Sequence, residues 1–339
     1  MRTRFLLAMS LGLCCCAAAT ASAGEYAVVK TLKIGGDGRW DYITVDPATK
    51  RLFISRSSHT QVVNADDGKL LADLKDTNGV HGVALVPDQN RGFTTNGRDN
   101  STTIFDLKTL QPIGTTKTGE GPDGVLYDPF SKCVLTMNGK GHDTSVIDPA
   151  AAAGAPVKAT IGLGGKPEGS ASDGAGAVFV AVEDASSVAV LDMKEMKLVH
   201  TWKIEGGEEP SGLALDAEHH HLFLGCGGNN VMAIMDSQSG KTLGTVPIGK
   251  GVDYCAFDPG TGEAFASCGD GTLTVVKETS PGKFEVTQTV KTAQGARTMA
   301  LDPATHTIYL PTAEFQPATG GGRPQMKAGT FMVVVVAPK

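Results

Sequence analysis

The sequence predicts an all-β fold: a seven-bladed β-propeller closed by an N-terminal strand that completes the last blade. Three observations predict it. A strand-start pattern recurs seven times, its period is 40 to 45 residues, and the final repeat is one strand short.

The seven starts align without gaps. They are Trp40-Asp41-Tyr42, Val80-His81-Gly82, Pro122-Asp123-Gly124, Pro167-Glu168-Gly169, Pro210-Ser211-Gly212, Val252-Asp253-Tyr254 and Ala296-Arg297-Thr298. Most of these strands run on into Asp-Pro or a variant, as at Asp46-Pro47, Asp128-Pro129, Asp258-Pro259 and Asp302-Pro303. Asp and Pro suit a tight hairpin, since Asp can bond the backbone two residues on and Pro presets the turn. Successive starts lie 40, 42, 45, 43, 42 and 44 residues apart, enough for four short strands each.

In the second repeat the second strand is expected near Gly92 to Thr95, the third over Thr102 to Asp106 and the fourth near Ile113 to Thr118. Apolar and polar residues alternate weakly in the inner strands, as expected where both faces of a blade pack on neighbours. Ala84, Ala171, Ala214, Ala256 and Ala300 share one column, where small residues let seven strands crowd an axis.

The last repeat ends at its third strand, Phe331 to Val336. The segment Tyr26 to Ile34, followed by Gly35-Gly36, reads as the missing fourth strand, which would remove two exposed edges. Gln316 to Thr330 is rich in Gly and Pro and reads as an extended loop between the second and third strands of the last blade.

Residues 1–23 read as a secretory leader: Arg2 and Arg4, an apolar or small stretch, then Ala21-Ser22-Ala23 as the cleavage site. A single propeller domain is expected over 24–339, in the periplasm or outside the cell. No later segment reaches the roughly 18 apolar residues of a membrane helix, so no membrane span is expected. The whole chain carries a formal charge of −6, and an acidic surface argues against nucleic acid as partner. A monomer is expected.

Cys133, Cys226, Cys255 and Cys268 remain after the leader. Export permits disulfides, four cysteines allow three full pairings, and buried free thiols are the simpler reading. There is no Cys-x-x-Cys-His, so haem c is not expected, and no phosphate-binding glycine loop, so no nucleotide. Gly-x-Ser-x-Gly and His-Glu-x-x-His are absent too, which argues against serine hydrolase and zincin activity.

With the repeats aligned, the chain resembles the YncE-like, YVTN-type seven-bladed β-propeller proteins of bacterial envelopes. The resemblance spans nearly all of residues 25–339. It is carried by Asn96-Gly97-Arg98-Asp99-Asn100, Gly271-Thr272-Leu273-Thr274-Val275-Val276, Gly295-Ala296-Arg297-Thr298-Met299-Ala300-Leu301-Asp302-Pro303 and Leu310-Pro311-Thr312-Ala313-Glu314-Phe315. It implies a propeller and an exported location but no settled reaction. Relatives of this type often carry a second Cys near Glu205 to Gly207, where this chain has none, so a disulfide there to Cys226 is not expected.

Propellers place functional groups at the mouth of the central channel. The second residue of each repeat is therefore the natural candidate: Asp41, His81, Asp123, Glu168, Ser211, Asp253 and Arg297. Loops after the second strands add Arg56, Asn96, Asn138, Glu183 and Glu314 as candidate ligand contacts, and Trp40 is a candidate for lining the mouth. Asp41, His81, Asp123 and Glu168 have the donor types for a divalent metal, whether Ca, Mn or Zn. Arg297 could hold an anionic group in a fork. The blander reading is a solvated polar channel.

His219-His220-His221 falls in a hairpin on the opposite face and reads as an exposed turn, and Trp202 reads as packing on an outer strand. Two functions compete: binding of a small molecule or an envelope protein at the mouth, and metal-dependent hydrolysis or lysis of lactones or related small esters. A partner role in quinone-dependent electron transfer ranks last, because no cofactor motif supports it.

Overall fold

In a computed structural model of the chain, residues 24–36, 38–316 and 325–339 are described. The leader reading of residues 1–23 and the middle of the Gln316 to Thr330 loop lie outside them. The described residues form seven antiparallel four-stranded sheets, and in six of them the strand order follows the sequence. The innermost strands are Ile43–Asp46, Val80–Val86, Pro122–Asp128, Pro167–Ser172, Pro210–Asp216, Val252–Asp258 and Ala300–Asp302. They open blades 1 to 7 in that order. In blade 2 the remaining strands are Arg91–Asn96, Ser101–Asp106 and Pro112–Lys117, each within a residue or two of expectation.

The hairpins follow from local chemistry. Asp258 Oδ1 accepts from Gly260 N at 2.9 Å, Asp302 Oδ1 from Ala304 N at 3.0 Å, and Asp128 Oδ2 from Ser131 N at 2.9 Å. Each Asp thus closes its own turn. The residue that re-enters the second strand takes a left-handed conformation, as Lys50, Lys132, His220 and His306 do. That is the usual geometry of a hairpin with a type I turn followed by a left-handed residue.

The last sheet has the order Tyr26–Lys33, Met332–Pro338, Thr307–Thr312, Ala300–Asp302. The N-terminal strand therefore completes blade 7. It pairs from Tyr26 against Pro338 to Lys33 against Met332, with one bulge between Val28 and Lys30. Tyr26 and Leu32 are buried. Gln288 of blade 6 grips Tyr26 at both backbone groups, its Oε1 accepting from Tyr26 N at 2.9 Å and its Nε2 donating to Tyr26 O at 2.7 Å.

The core lies between blades. Clusters such as Leu135, Val146, Val180 and Leu191 join blades 3 and 4, and Phe223, Ile234, Ala264 and Val276 join blades 5 and 6. The alanine column packs in these interfaces. The tightest approach near the axis falls instead on the glycine at the third position of blades 2 to 5. A Cβ on Gly169 would lie 2.6 Å from Ser211 O, and one on Gly212 would lie 2.6 Å from Cys255 N.

All four cysteines are buried and unbonded. Trp202 packs on an outer strand against Phe179 and stacks with His200. No helix of the described residues is long and apolar enough to cross a membrane.

Candidate functional site

The second aligned residue stands at the start of the innermost strand in blades 2 to 6 and two or three residues before it in blades 1 and 7. Five of these side chains, from blades 6, 7, 1, 2 and 3, form one continuous chain of charge contacts. Arg297 Nε donates to Asp253 Oδ2 at 2.6 Å, and its Nη2 donates to Asp41 Oδ1 at 3.3 Å. The other oxygen of Asp41 lies 2.6 Å from His81 Nδ1, which is 3.4 Å from Asp123 Oδ1. This chain crosses the seam between blade 7 and blade 1. The Thr298 hydroxyl reinforces it, donating to Asp41 O at 2.8 Å.

Blade 4 adds Glu168, whose Oε1 is 2.6 Å from Lys166 Nζ; Lys166 also pairs with Glu183. The mouth thus gathers five carboxyl groups against Arg297, Lys166 and His81. Burial sets the proton affinities. It pushes the Asp253 carboxyl up to about 7, helped by Asp41 and Asp123 and opposed by Arg297. It raises Asp123 against the pull of His81, and raises Glu168, with Asp123 adding to the effect and Lys166 opposing it. Burial disfavours charge on His81, but the hydrogen bond to Asp41 and the nearby Asp123, Asp41 and Glu168 carboxylates outweigh it and bring His81 to about 8.

That value gives a direct prediction. An NMR titration should place the His81 imidazole midpoint near pH 8 and, in an Asp41→Asn variant, closer to its ordinary 6.5. The folded value lies above the unfolded one. The stability that His81 contributes is therefore fully present below pH 6.5 and is lost as the pH rises through 8. A wild-type midpoint at or below 6.5 would contradict the Asp41 contact.

The other candidates are placed differently. Ser211 donates its hydroxyl to Val252 O at 2.9 Å and so ties blade 5 to blade 6. Asn96 and Asn138 are buried within their blades. Asn96 Nδ2 donates to Thr103 Oγ1 at 2.8 Å, and Asn138 Nδ2 donates to Asp143 Oδ1 at 2.6 Å. Arg56 is buried over the Phe331 ring at 3.7 Å, and its guanidinium donates to Gln61 Oε1 at 2.6 Å. Glu314 is exposed and pairs with Lys327 across the long loop. Trp40, half-buried, packs against Phe331 and Phe315. On the opposite face His219 bonds Asp216 at 2.8 Å, while the His221 ring meets Phe284 edge to face at 5.0 Å.

Three residues that sequence reasoning missed complete the mouth. Lys166 stands one place before the aligned repeat. Tyr42 and Tyr254 occupy the third position, where blades 2 to 5 have glycine. Their rings meet edge to face at 5.8 Å, and both line a 60 Å³ cavity in the channel together with Glu168. The break in an otherwise glycine-rich column is the signal that could have found them.

Among the candidate metal ligands, Asp41, His81 and Asp123 each offer an atom, all within 4.8 Å of one another. Glu168 is not in that group. Such a set could hold a divalent ion through one imidazole nitrogen and two carboxylates, with further positions open to water or ligand. Metal binding would require His81 to be neutral.

The sequence matches no protein-family model, and no curated protein matches it. Among solved structures, a chain in the crystal structure of a mitotic checkpoint complex is similar to this one, with a TM-score of 0.74. The match covers 99% of both chains at 14% identity. At that identity the likeness shows a shared fold alone, and the fold it shows is the seven-bladed propeller.

Proposed function

We propose that the chain is an exported propeller of the YncE-like, YVTN-type kind, acting in the periplasm or outside the cell. Its channel mouth binds a small ligand. The observation that carries this reading is the convergence of Asp253, Arg297, Asp41, His81 and Asp123 from five blades into one half-buried charged network. Groups with displaced proton affinities gathered in a concave mouth support a binding site. The reading is tested by a small-molecule screen on the purified protein. Hits should be lost when Asp41→Asn, Asp123→Asn and Arg297→Gln are combined. Undiminished binding by that variant would remove the mouth from the account.

A second reading is favoured by one observation, the close set Asp41, His81 and Asp123. A divalent ion held there would keep open positions, and could polarise a lactone or ester carbonyl and activate water. Metal analysis before and after chelation separates the two readings. A protein that keeps no divalent ion, and whose melting temperature does not respond to one, is a binding propeller only.

A further inference from the structure

We infer that the ligand of the channel mouth is an organic cation with a primary ammonium head, received by Glu168 and the rings and hydroxyls of Tyr42 and Tyr254. This rests on the mouth being a binding site, and it names the ligand class.

The argument starts from the third aligned position. Blades 2 to 5 place Gly82, Gly124, Gly169 and Gly212 there, and each brings its strand against the next blade. Blades 1 and 6 place tyrosines there instead, and the two rings meet at 5.8 Å. The space left by the glycines is therefore taken up by two aromatic rings from the other side of the ring of blades. What remains is a 60 Å³ cavity bounded by Tyr42, Tyr254, Gly82, Gly124, Gly169 and Glu168.

The chemistry of that cavity is specific. Neither tyrosine hydroxyl has a hydrogen-bond partner among the described residues. Both phenols are neutral, since burial drives their proton affinity up. Glu168 stands at the cavity wall, where burial and the neighbouring Asp123 hold its carboxyl well above the usual carboxylate range against the pull of Lys166, so it is an incoming cation that would draw it into its charged form. An anion is therefore disfavoured. A strongly hydrated divalent ion finds better donors above, at Asp41, His81 and Asp123. A primary ammonium has three N–H donors for the carboxyl group and the two hydroxyls, and the faces of aromatic rings attract cations. The protein's own side chains follow the same preference, with Lys166 already seated on Glu168 and Glu183. The volume sets the size. A cavity of about 150 Å³ holds a benzene ring, so this one admits an ammonium head and its first carbons while the rest of the ligand leaves through the mouth.

The test compares propylammonium with 1-propanol, its neutral counterpart, by calorimetry at constant ionic strength. Propylammonium should bind and 1-propanol should not. Tyr42→Phe with Tyr254→Phe keeps both rings and removes both hydroxyls. It should weaken propylammonium about tenfold, and Glu168→Gln should weaken it at least as much. The far-ultraviolet spectrum and melting temperature of each variant show whether it is folded. If propylammonium fails to bind while a neutral or anionic screening hit binds and is lost in the triple mouth variant, the ammonium inference falls and the mouth reading stands. If nothing binds at all, both fall. Binding unchanged in the double phenylalanine variant would overturn the role of the tyrosines.

Discussion

Removing the N-terminal strand, residues 24–34, is expected to cost about 3–6 kcal/mol of stability from the burial of Tyr26 and Leu32 alone. Domains of this kind are commonly stable by about 5–15 kcal/mol, so much of the margin would go. The effect is larger than that of an ordinary terminal trim. The strand pairs along the full length of Met332–Pro338 and is also held by Gln288 of blade 6. Without it the edge Val333-Val334-Val335-Val336 is left unpaired, and a flat apolar edge invites association with other chains. Urea unfolding should show the loss, and light scattering should show aggregation. Should the truncated chain fail to fold, Tyr26→Ala supplies the milder case, with an expected loss of about 3 kcal/mol. A truncated protein as stable as the full chain would mean that another element closes the ring.

The second large effect is expected at the glycine column. Gly169→Ala should destabilise by about 3 kcal/mol, at the upper end for an overpacked site. Its Cβ would lie 2.6 Å from Ser211 O and 2.7 Å from Leu213 N. Both are main-chain atoms of the adjoining blade, so no rotamer change can relieve the clash, and blades 4 and 5 must move apart. Gly244→Ala is the matched control, because no atom lies within 4 Å of its Cβ. It should leave the unfolding midpoint nearly unchanged. The column also bears on the site. Moving blade 4 shifts Glu168 relative to Tyr42 and Tyr254, so the Gly169→Ala protein should lose ligand even under conditions where it stays folded. Equal stability of the two alanine variants would contradict the close approach of the inner strands.

The propeller was legible because its signals are local and repeated. An Asp that closes its own hairpin, as Asp258 and Asp302 do, leaves the same trace in most repeats. The closing strand was legible for a similar reason: blade 7 lacked one strand, and a strand without a sheet stood at the other end. The second-position residues were legible as a ring, but their partners were not. Which carboxylate meets Arg297 depends on the rotation between blades, and no spacing in the sequence encodes it.

Arg56, Asn96 and Asn138 are enclosed rather than open to a ligand. They sit at or just past the end of second strands that are buried on both faces nearly throughout, so their side chains are covered by neighbouring strands. Lys166 escaped because it lies just before the repeat pattern begins. Tyr42 and Tyr254 escaped because each looks like an ordinary strand residue until the other blades are seen to have glycine or, in blade 7, threonine.

The most direct test is a crystal structure of the full chain grown with propylammonium, read at the mouth of the central channel. The account predicts density for the amine with its nitrogen against Glu168 and the hydroxyls of Tyr42 and Tyr254, and its chain leaving past Asp41 and Asp123. A mouth holding only water, with the amine bound elsewhere or absent, would contradict it.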